Sequence, residues 1–386
     1  MISSRVTVRP VSGRRERRIF LTFPWRIYRD DPLWVPPILS ERKARIDPDR
    51  NPIYQQGEVE LFLAWQGRRP VGTIGVAVDH HANDHYEMPV AVFGFFECIE
   101  DYAVAEALFA AATDWARARD AVVVRGPQSF GNSDEPGILL EGRETPRGLL
   151  MGWTAPYYRD FVERYGFKKY REALAYRVYL KRYVDAAGNF EPPVKLQRVV
   201  DYVRGRYGDR CRLRTPNFAA WNAELSRVRE VYNRALGGLP DFVPMSEQDW
   251  QRLAGSIRPL LREELTVFVE LDGELVGFGL GLPDINMALW HCNGLRRPWD
   301  YVKLWWYGRR LPGVSFKILA MVPEVHGLGL DALVYLHLGE VCWREGYRWM
   351  DMSLTGDDNP TTNLLAERFG ARLDKRYRVY DLSFGC

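Results

Sequence analysis

The segment Lys317–Asp331, KILAMVPEVHGLGLD, constrains the fold more than any other part of the chain. Its apolar run stops at Pro323, glycines follow at Gly327 and Gly329, and helical spacing of apolar residues begins at Ala332. This order predicts a strand, a glycine-containing turn and a helix. The first N–H groups of a helix lack internal partners and carry partial positive charge. The junction therefore predicts a phosphate or pyrophosphate site, because glycines let the anion approach the backbone amides.

The elements after this junction follow a recognisable order. A second strand, Trp349–Leu354, comes after the helix, and a polar turn then leads into a short helix that ends near Gly370. This order resembles the GNAT superfamily of acyl-CoA N-acyltransferases, which has an Arg/Gln-x-x-Gly-x-Gly/Ala loop between its strand and helix. In this chain His326, Gly329 and Asp331 occupy the three motif positions, so one of the three matches the family.

The resemblance implies a binding site for acetyl-CoA or another acyl-CoA. The family's thioester carbonyl accepts a hydrogen bond from a backbone amide at the end of the strand, and its final helix begins at an Asn. Two positions depart from the family, since Asp331 adds negative charge near the phosphates and Ala366 replaces a Tyr that protonates the leaving thiolate. The implied cofactor-binding residues are Met321, Val322, His326, Gly327, Leu328, Gly329, Leu330, Asp331, Ala332 and Asn359.

Three side chains are candidates for proton transfer. Asp351 and Ser353 alternate with methionines on the second strand and therefore share one face, which predicts a base or proton relay. Glu97 follows the apolar segment Phe93–Phe96, and burial would raise the pKa of its carboxyl group toward that of a useful base. The alternative for all three is an ordinary structural side chain that is satisfied by hydrogen bonds.

The same order of elements occurs twice, which predicts an α/β protein of two tandem GNAT-like domains, each a mixed, mostly antiparallel twisted sheet flanked by helices. We place the first domain at 1–180, a linker at 181–195, and the domain with the pyrophosphate loop at 196–386. In the first half, Glu97–Asp101 stands in place of the phosphate loop and has three carboxylates and no glycine. Because these charges would repel an anion, we expect this domain to be a scaffold or to shape the acceptor pocket.

Composition narrows the functional class. The chain has 386 residues, 46% of them hydrophobic and 27% charged, and no apolar run reaches the ~18 residues of a membrane span. Its start, MISSRVTVRP, lacks the apolar core of a signal peptide, so we expect a cytoplasmic protein. A net charge of +3 with dispersed arginines argues against nucleic-acid binding.

The cysteine and histidine spacings do not predict a metal site. The five cysteines are single, with no CxxC pair, and the histidines of DHHANDH follow a strand in a polar turn without a predicted set of carboxylate ligands. Buried thiols and a solvated turn are the simpler interpretations.

One aromatic and arginine-rich insertion, Arg296–Gly313, has three interpretations. It is a helix that packs Trp299, Leu304 and Trp305 into the core, a wall of a pocket for a bulky acyl group or acceptor, or a segment at a membrane interface, where Trp and Arg are common.

The sequence as a whole predicts an acyl-CoA-dependent N-acyltransferase that moves an acetyl or longer acyl group to a small-molecule amine. The alternative is a non-catalytic acyl-CoA-binding sensor or assembly module, which Ala366 and Asp331 favour. The identity of the amine and the oligomeric state do not follow from the sequence.

Overall fold

The computed structural model describes residues 5–130, 136–239 and 242–384. The first half contains β1 (Val6–Pro10), α1 (Gly13–Thr22), α2 (Pro24–Ile27), α3 (Leu39–Arg45), α4 (Ile53–Gln56), β2 (Gly57–Gln66), β3 (Arg69–Asp79), α5 (His80–Tyr86), β4 (Val90–Cys98), α6 (Tyr102–Arg117), β5 (Val123–Gly126), β6 (Ile138–Glu141), α7 (Tyr158–Tyr165) and β7 (Lys168–Tyr179). The second half contains α8 (Val194–Tyr207), β8 (Cys211–Arg214), α9 (Trp221–Leu236), α10 (Glu247–Ile257), β9 (Thr266–Leu271), β10 (Glu274–Pro283), α11 (Asn286–Leu289), α12 (Pro298–Gly308), β11 (Gly313–Met321), α13 (Leu330–Arg344), β12 (Trp349–Gly356), α14 (Pro360–Arg368) and β13 (Arg372–Ser383).

The strands of the described residues form one continuous sheet in the order β1-β2-β3-β4-β5-β13-β7-β12-β11-β10-β9-β8, and β6 pairs with β13. Within this sheet β4 pairs with β5, and β11 with β12, in parallel, while the other ladders are antiparallel. Strands β1–β5 and β8–β12 thus repeat the same arrangement from opposite edges. The predicted α/β class, with a mostly antiparallel sheet flanked by helices and an order of elements repeated in the two halves, is confirmed.

The two halves exchange their last strands at the centre of the sheet. Strand β13, from the end of the chain, pairs with β5 and β7, while β7, from the first half, pairs with β12. Tyr377 and Tyr380 of β13 are fully buried in the core of the first half, and Tyr176 and Val178 of β7 lie in the core of the second. Each core therefore contains a strand contributed by the other half.

The helices cover the sheet, and α13 is the most deeply buried of those in the second half. Ten of its residues are buried, because β11 lies on one side of it and α8 packs on the other. Helix α8 places Val200 and Val203 in this core. The segment 181–195, our proposed domain boundary, follows β7 and includes the first two residues of α8. Among the described residues, no helix is both long and apolar enough to cross a bilayer.

The strand exchange makes a prediction about autonomy. Separate expression of residues 1–192 and 193–386 should give two chains that do not fold alone, because each core would lose a strand with several buried side chains and expose an unpaired sheet edge. Far-UV circular dichroism and denaturant unfolding measure this, and co-expression of both chains should restore a cooperative transition. Cooperative unfolding by either chain alone would contradict the role given to the exchanged strands.

Candidate active site

Strands β11 and β12 run side by side only at their beginnings. Their parallel ladder extends from Gly313 and Trp349 to Phe316 and Met352, and then stops. Beyond that point β11 continues its pairing with β10, while β12 continues to pair with β7 as far as Gly356. The two strands therefore diverge. We call the point of divergence, with the diverging ends 317–321 and 353–356, the fork.

A β-bulge lies at the fork. Leu280 of β10 pairs with Ile318, and Gly281 pairs with Phe316, so Lys317 is the extra residue on β11. Bulges change the direction of a strand and are common beside active sites. The Lys317 side chain is partly buried.

Two buried carboxyl groups flank Lys317. Asp351 pairs with Ser315 across the parallel ladder, and its Oδ2 accepts a hydrogen bond of 3.1 Å from the Ser315 hydroxyl. Asp284 follows the end of β10, and its Oδ1 accepts from the backbone N–H of Asn286 at 3.1 Å. Among the described atoms, Oδ1 of Asp351 and Oδ2 of Asp284 accept no hydrogen bond although both are buried. A buried acceptor without a hydrogen bond is unusual in a folded protein and calls for an explanation.

The charges of this cluster are coupled. Burial, and then the negative charge of Asp351, raise the pKa of Asp284 to about 7, and Lys317 opposes the rise. Burial likewise raises the pKa of Asp351, against the attraction of Lys317 and Arg177. Burial lowers the pKa of Lys317, and the two carboxylates raise it. The pair of carboxyl groups can therefore bind and release a proton near neutral pH.

The first half contributes one wall of this site. The side-chain N–H of Asn286 donates to the carbonyl oxygens of Gly148 at 2.7 Å and Arg147 at 3.4 Å. A Cβ on Gly148 would lie 2.6 Å from Oδ2 of Asp351, so this loop packs directly against the carboxylate. The loop is also held by Lys375 of β13, whose ammonium group donates to Thr145.

Further charged side chains of the exchanged strands surround the pair. Arg177 of β7 stands opposite Asp351 in the ladder and forms an ion pair of 3.0 Å with Asp374. Burial lowers the pKa of Lys375 to about 8, although Asp374 counteracts this. The site is thus assembled from both halves and depends on the strand exchange.

The predicted phosphate loop lies at the far end of β11. Gly327 and Gly329 both have positive φ angles, of 76° and 81°, and α13 begins directly after the second glycine. The N–H of His326 donates to Pro323, and that of Leu328 to Val325. Within the described part of the chain, no backbone acceptor is recorded for the amides of Gly327 and Gly329, which can therefore serve an anion.

The two glycines have different surroundings. A Cβ on Gly329 would lie 2.8 Å from Val199 of α8, so that position needs glycine for close packing as well as for its φ angle. A Cβ on Gly327 would have no protein atom within 4 Å. Gly327 is therefore the better position for testing ligand contact.

The other predicted cofactor residues lie around this loop. Met321 ends β11, and its carbonyl oxygen is 2.9 Å from Nε2 of His326, while the amide of Val322 donates to Val276. Burial raises the pKa of Asp331, and the backbone N–H groups of Asp331 and Ala332 oppose the rise, so this carboxyl group shares the helix N-terminus with any bound anion. Leu328 is partly buried, and Leu330 is buried in the core.

Two positions discussed from the sequence, Asn359 and Ala366, lie at or in the last helix, α14. Asn359 precedes α14 and caps it, with its side chain accepting from the amide of Thr362 at 3.2 Å. Ala366 is buried in the core of the second half. The methyl side chain of Ala366 cannot donate a proton.

Glu97, the other predicted base, is not part of this cluster. Glu97 lies on β4 and accepts hydrogen bonds of 2.8 Å from Tyr28 and from the fully buried Tyr158. This agrees with the alternative interpretation of Glu97 as a structural side chain that is satisfied by hydrogen bonds. Three strands separate β4 from β12, which corresponds to about 19 Å. Ser353 lies on β12, but its side chain is outside the described residues.

The equivalent fork in the first half is filled by protein. The ladder of β4 and β5 stops after Val92 and Arg125, and Gln128 then donates to the carbonyl oxygen of Phe93. The Phe130 ring packs at 4.9 Å from Phe95. Asp101 caps α6 by accepting from the amide of Ala103. This carboxylate places negative charge at the helix N-terminus, and the loop before it lacks the glycines of the second half.

Sequence reasoning did not identify Asp284, Lys317 or Arg177 as site residues. A signal was present, since Asp284 ends the apolar run LVGFGLGLP and Lys317 interrupts the run VSFKILAM. Lone charges in otherwise buried strands are costly unless they have a partner or a function.

Comparisons with known proteins agree with this architecture. The bacterial ceramide synthase of Caulobacter vibrioides is 29% identical over 384 residues, covering 97% of each chain. The protein YghO of Escherichia coli is also 29% identical, over 99% of this chain and 96% of its own. No family model matches the chain.

Two solved structures align over nearly the whole chain. A tandem GNAT protein from the clavulanic acid biosynthesis pathway covers 99% of both chains with a TM-score of 0.58 and 14% identity. A GCN5-related N-acetyltransferase from Sphaerobacter thermophilus covers 99% of this chain and 97% of its own, with a TM-score of 0.53 and 13% identity. The chain described above, with its two repeated units and its fork between parallel strands, has a tandem GNAT-like fold.

Proposed function

We propose that this chain is an N-acyltransferase that uses acyl-CoA and carries out its chemistry at the fork of the second half. The observation that carries the proposal is the pair of buried carboxyl groups, Asp284 and Asp351, each with an oxygen that accepts no hydrogen bond among the described atoms. Maintaining two desolvated acids beside each other costs stability, which is typical of a functional site.

The reaction needs a proton acceptor. The amine nitrogen attacks the thioester carbonyl carbon, the carbon–sulfur bond breaks, and the products are an amide and the CoA thiol. The nitrogen loses one proton and the thiolate gains one. With a pKa of about 7, Asp284 is suited to accept the amine proton and to return it through Asp351 or water to the sulfur.

The loop at the start of α13 is the proposed contact for the CoA pyrophosphate. The amides of Gly327 and Gly329 and the positive end of the helix dipole support this assignment. Met321, Val322, His326, Leu328, Leu330, Asp331, Ala332 and Asn359 remain proposed neighbours of the cofactor. The acidic side chain of Asp331 next to these amides implies weaker binding than an unmodified motif would give.

For the acceptor, we propose the amino group of a long-chain lipid. Ceramide is an N-acylated long-chain amino alcohol, so the relative named for ceramide synthesis makes an amide bond of the type proposed here. The aligned region covers nearly all of both proteins, which supports a shared reaction class.

The competing function is a non-catalytic acyl-CoA sensor. Ala366, buried where the family has a tyrosine acid, favours it. A sensor would bind acyl-CoA but would not release the thiol in the presence of any amine.

The first prediction concerns catalysis. Free thiol should be released from acyl-CoA in the presence of a long-chain amino alcohol, with a rate that rises through about pH 7 as the acidic pair loses its proton. Asp284→Asn and Asp351→Asn should each lower kcat by about 10²–10⁴-fold, the usual contribution of a general base.

The matched control for this assay is Asp272→Asn, which alters an exposed aspartate on the β9–β10 turn. It should leave the rate unchanged. Full activity and an unchanged pH profile in Asp284→Asn would contradict the proposed base, and CoA binding without thiol release across an amine panel would favour the sensor.

The second prediction concerns the phosphate loop. Gly327→Ala should reduce the thermal shift produced by CoA, because the new Cβ would point into open space where the ligand is proposed to lie. Gly273→Ala is the control, since Gly273 has a φ of 84° and equally open surroundings at a distant turn. If CoA produces equal thermal shifts in the two variants, the nucleotide binds at another position.

The third prediction concerns stability. The pKa of Asp284 is raised from 3.8 to about 7 by folding, so the folded state binds the proton more tightly and stability falls as pH rises between these values. Asp284→Asn removes this loss. From pH 5 to pH 8, the difference between the unfolding free energies of the variant and the wild type should shift by about 2 kcal/mol in favour of the variant. Urea titrations at both pH values measure it, and a constant difference would show that Asp284 is not perturbed.

A further inference from the structure

Helix α12 exposes an aromatic face instead of burying it. Leu304 is partly buried, but Trp299 and Trp305, which one of the sequence interpretations placed in the core, are exposed. Four of the 13 tryptophans are exposed, and all four lie between residues 290 and 306. The core-packing interpretation of this segment is therefore wrong for the tryptophans.

The exposed side chains form one surface. With helical spacing, Tyr301, Val302, Trp305 and Trp306 lie on the face opposite Asp300. Val302, Trp305 and Trp306 are 65%, 62% and 63% exposed. We call this set, together with Trp299, the aromatic face.

The helix that carries this face is held firmly. Asp300 is almost fully buried and accepts from the amide of Arg297 at 3.1 Å, while its carbonyl oxygen accepts from the thiol of Cys292 at 3.3 Å. The indole N–H of Trp290 donates to Pro32 of the first half at 2.7 Å. The aromatic face is therefore a feature of the ordered fold and not of a loose loop.

Positive charge surrounds the aromatic face. The only carboxylate of the segment 296–310 is the buried Asp300. Two of its cations stack on the tryptophans, with Arg297 at 5.3 Å from the Trp299 ring and Arg309 at 4.9 Å from the Trp305 ring. The exposed cations of the segment are Arg296, Arg297, Lys303, Arg309 and Arg310.

A basic hollow continues from the end of α12. It has a volume of about 560 Å³ and is lined by Arg262, Arg309, Arg310 and Arg348, with Glu345 as its one acidic side chain. A hollow of this size and charge fits the phosphate of a lipid headgroup.

We propose that α12 docks this protein onto the surface of a bilayer that contains anionic lipids. The aromatic face enters the boundary between headgroups and acyl chains, where Trp and Tyr are favoured, and the flanking cations bind lipid phosphates. At 11 residues the helix is too short to span a bilayer, and it lies in the plane of the interface. A second copy of the chain is a poorer occupant, because pairing two such faces would bring their cations together.

Helix α12 is also close in the chain to residues of the fork. Asp284 precedes α11 and α12, β11 begins five residues after α12, and the amide of Asp284 donates to the carbonyl oxygen of Gly313 at 2.9 Å. The docking surface and Asp284 thus lie in the same connection between β10 and β11, and Asp351 lies on β12, which pairs with β11. The docking proposal does not require acyl transfer.

Flotation of the full chain with phosphatidylcholine vesicles, with and without phosphatidylglycerol, tests the proposal. The wild type should bind the anionic vesicles and lose affinity at high salt. The double variant Trp305→Ser/Trp306→Ser should bind at least about tenfold more weakly, because the main apolar contacts are removed. Arg309→Gln/Arg310→Gln should lose about tenfold on anionic vesicles and little on phosphatidylcholine alone.

The control is Val194→Ser/Tyr202→Ser, which removes two exposed apolar side chains of α8 and should bind as the wild type does. Asp351→Asn should also bind normally, so a failure of the acyl-transfer proposal would leave this result intact. Equal vesicle binding by the tryptophan variant, or no binding by the wild type, would overturn the proposal. A dimer in sedimentation experiments that the tryptophan variant dissociates would instead assign the aromatic face to a second copy.

Discussion

The exchange of β7 and β13 between the two halves is the constraint on which the rest of the structure depends. It joins two repeated units into one sheet and places a strand of each half in the core of the other. It also brings Arg177 and Lys375 to the fork of the second half, where Arg177 stands opposite Asp351 and Lys375 holds the 142–148 loop. The first half therefore completes the site, although its own fork is filled by Gln128 and Phe130.

In the cluster at the fork, the cost of burying charged groups is opposed by electrostatic attraction between them. Burial disfavours the charged forms of Asp284, Asp351 and Lys317, and Asp351 also repels Asp284. The attraction of Lys317 and Arg177 for the two carboxylates opposes these effects. A structural core would replace such a group with apolar side chains. The presence of this group beside a bulge, at the point where β11 and β12 diverge, is the physical basis for the function proposed. The membrane docking proposed for α12 would bring the protein to a lipid acceptor.

The sequence predicted secondary structure correctly where the signal is local, as in the strand, glycine turn and helix around Gly327. Asp351 was proposed for proton transfer because it alternates with apolar neighbours on β12; it is buried at the fork, and its catalytic role stays a prediction. Asp284 and Lys317 were missed because each is one charge in an apolar run, and nothing in the run shows that the two lie beside Asp351. The interpretation of α12 as a core helix for its tryptophans failed because aromatic side chains suit both a core and an interface.

The sequence by itself determined the order of the elements, the repeat of that order in the two halves and the glycine turn before α13, since hydrophobic periodicity and backbone freedom are properties of neighbouring residues. Only the tertiary structure decided that β13 pairs with β5 and β7, that three charged side chains meet at the fork, and that the aromatic side of α12 faces outward. Strand pairing and burial depend on contacts between residues far apart in the chain. Periodicity tells which faces of an element are apolar, but it does not tell what covers them.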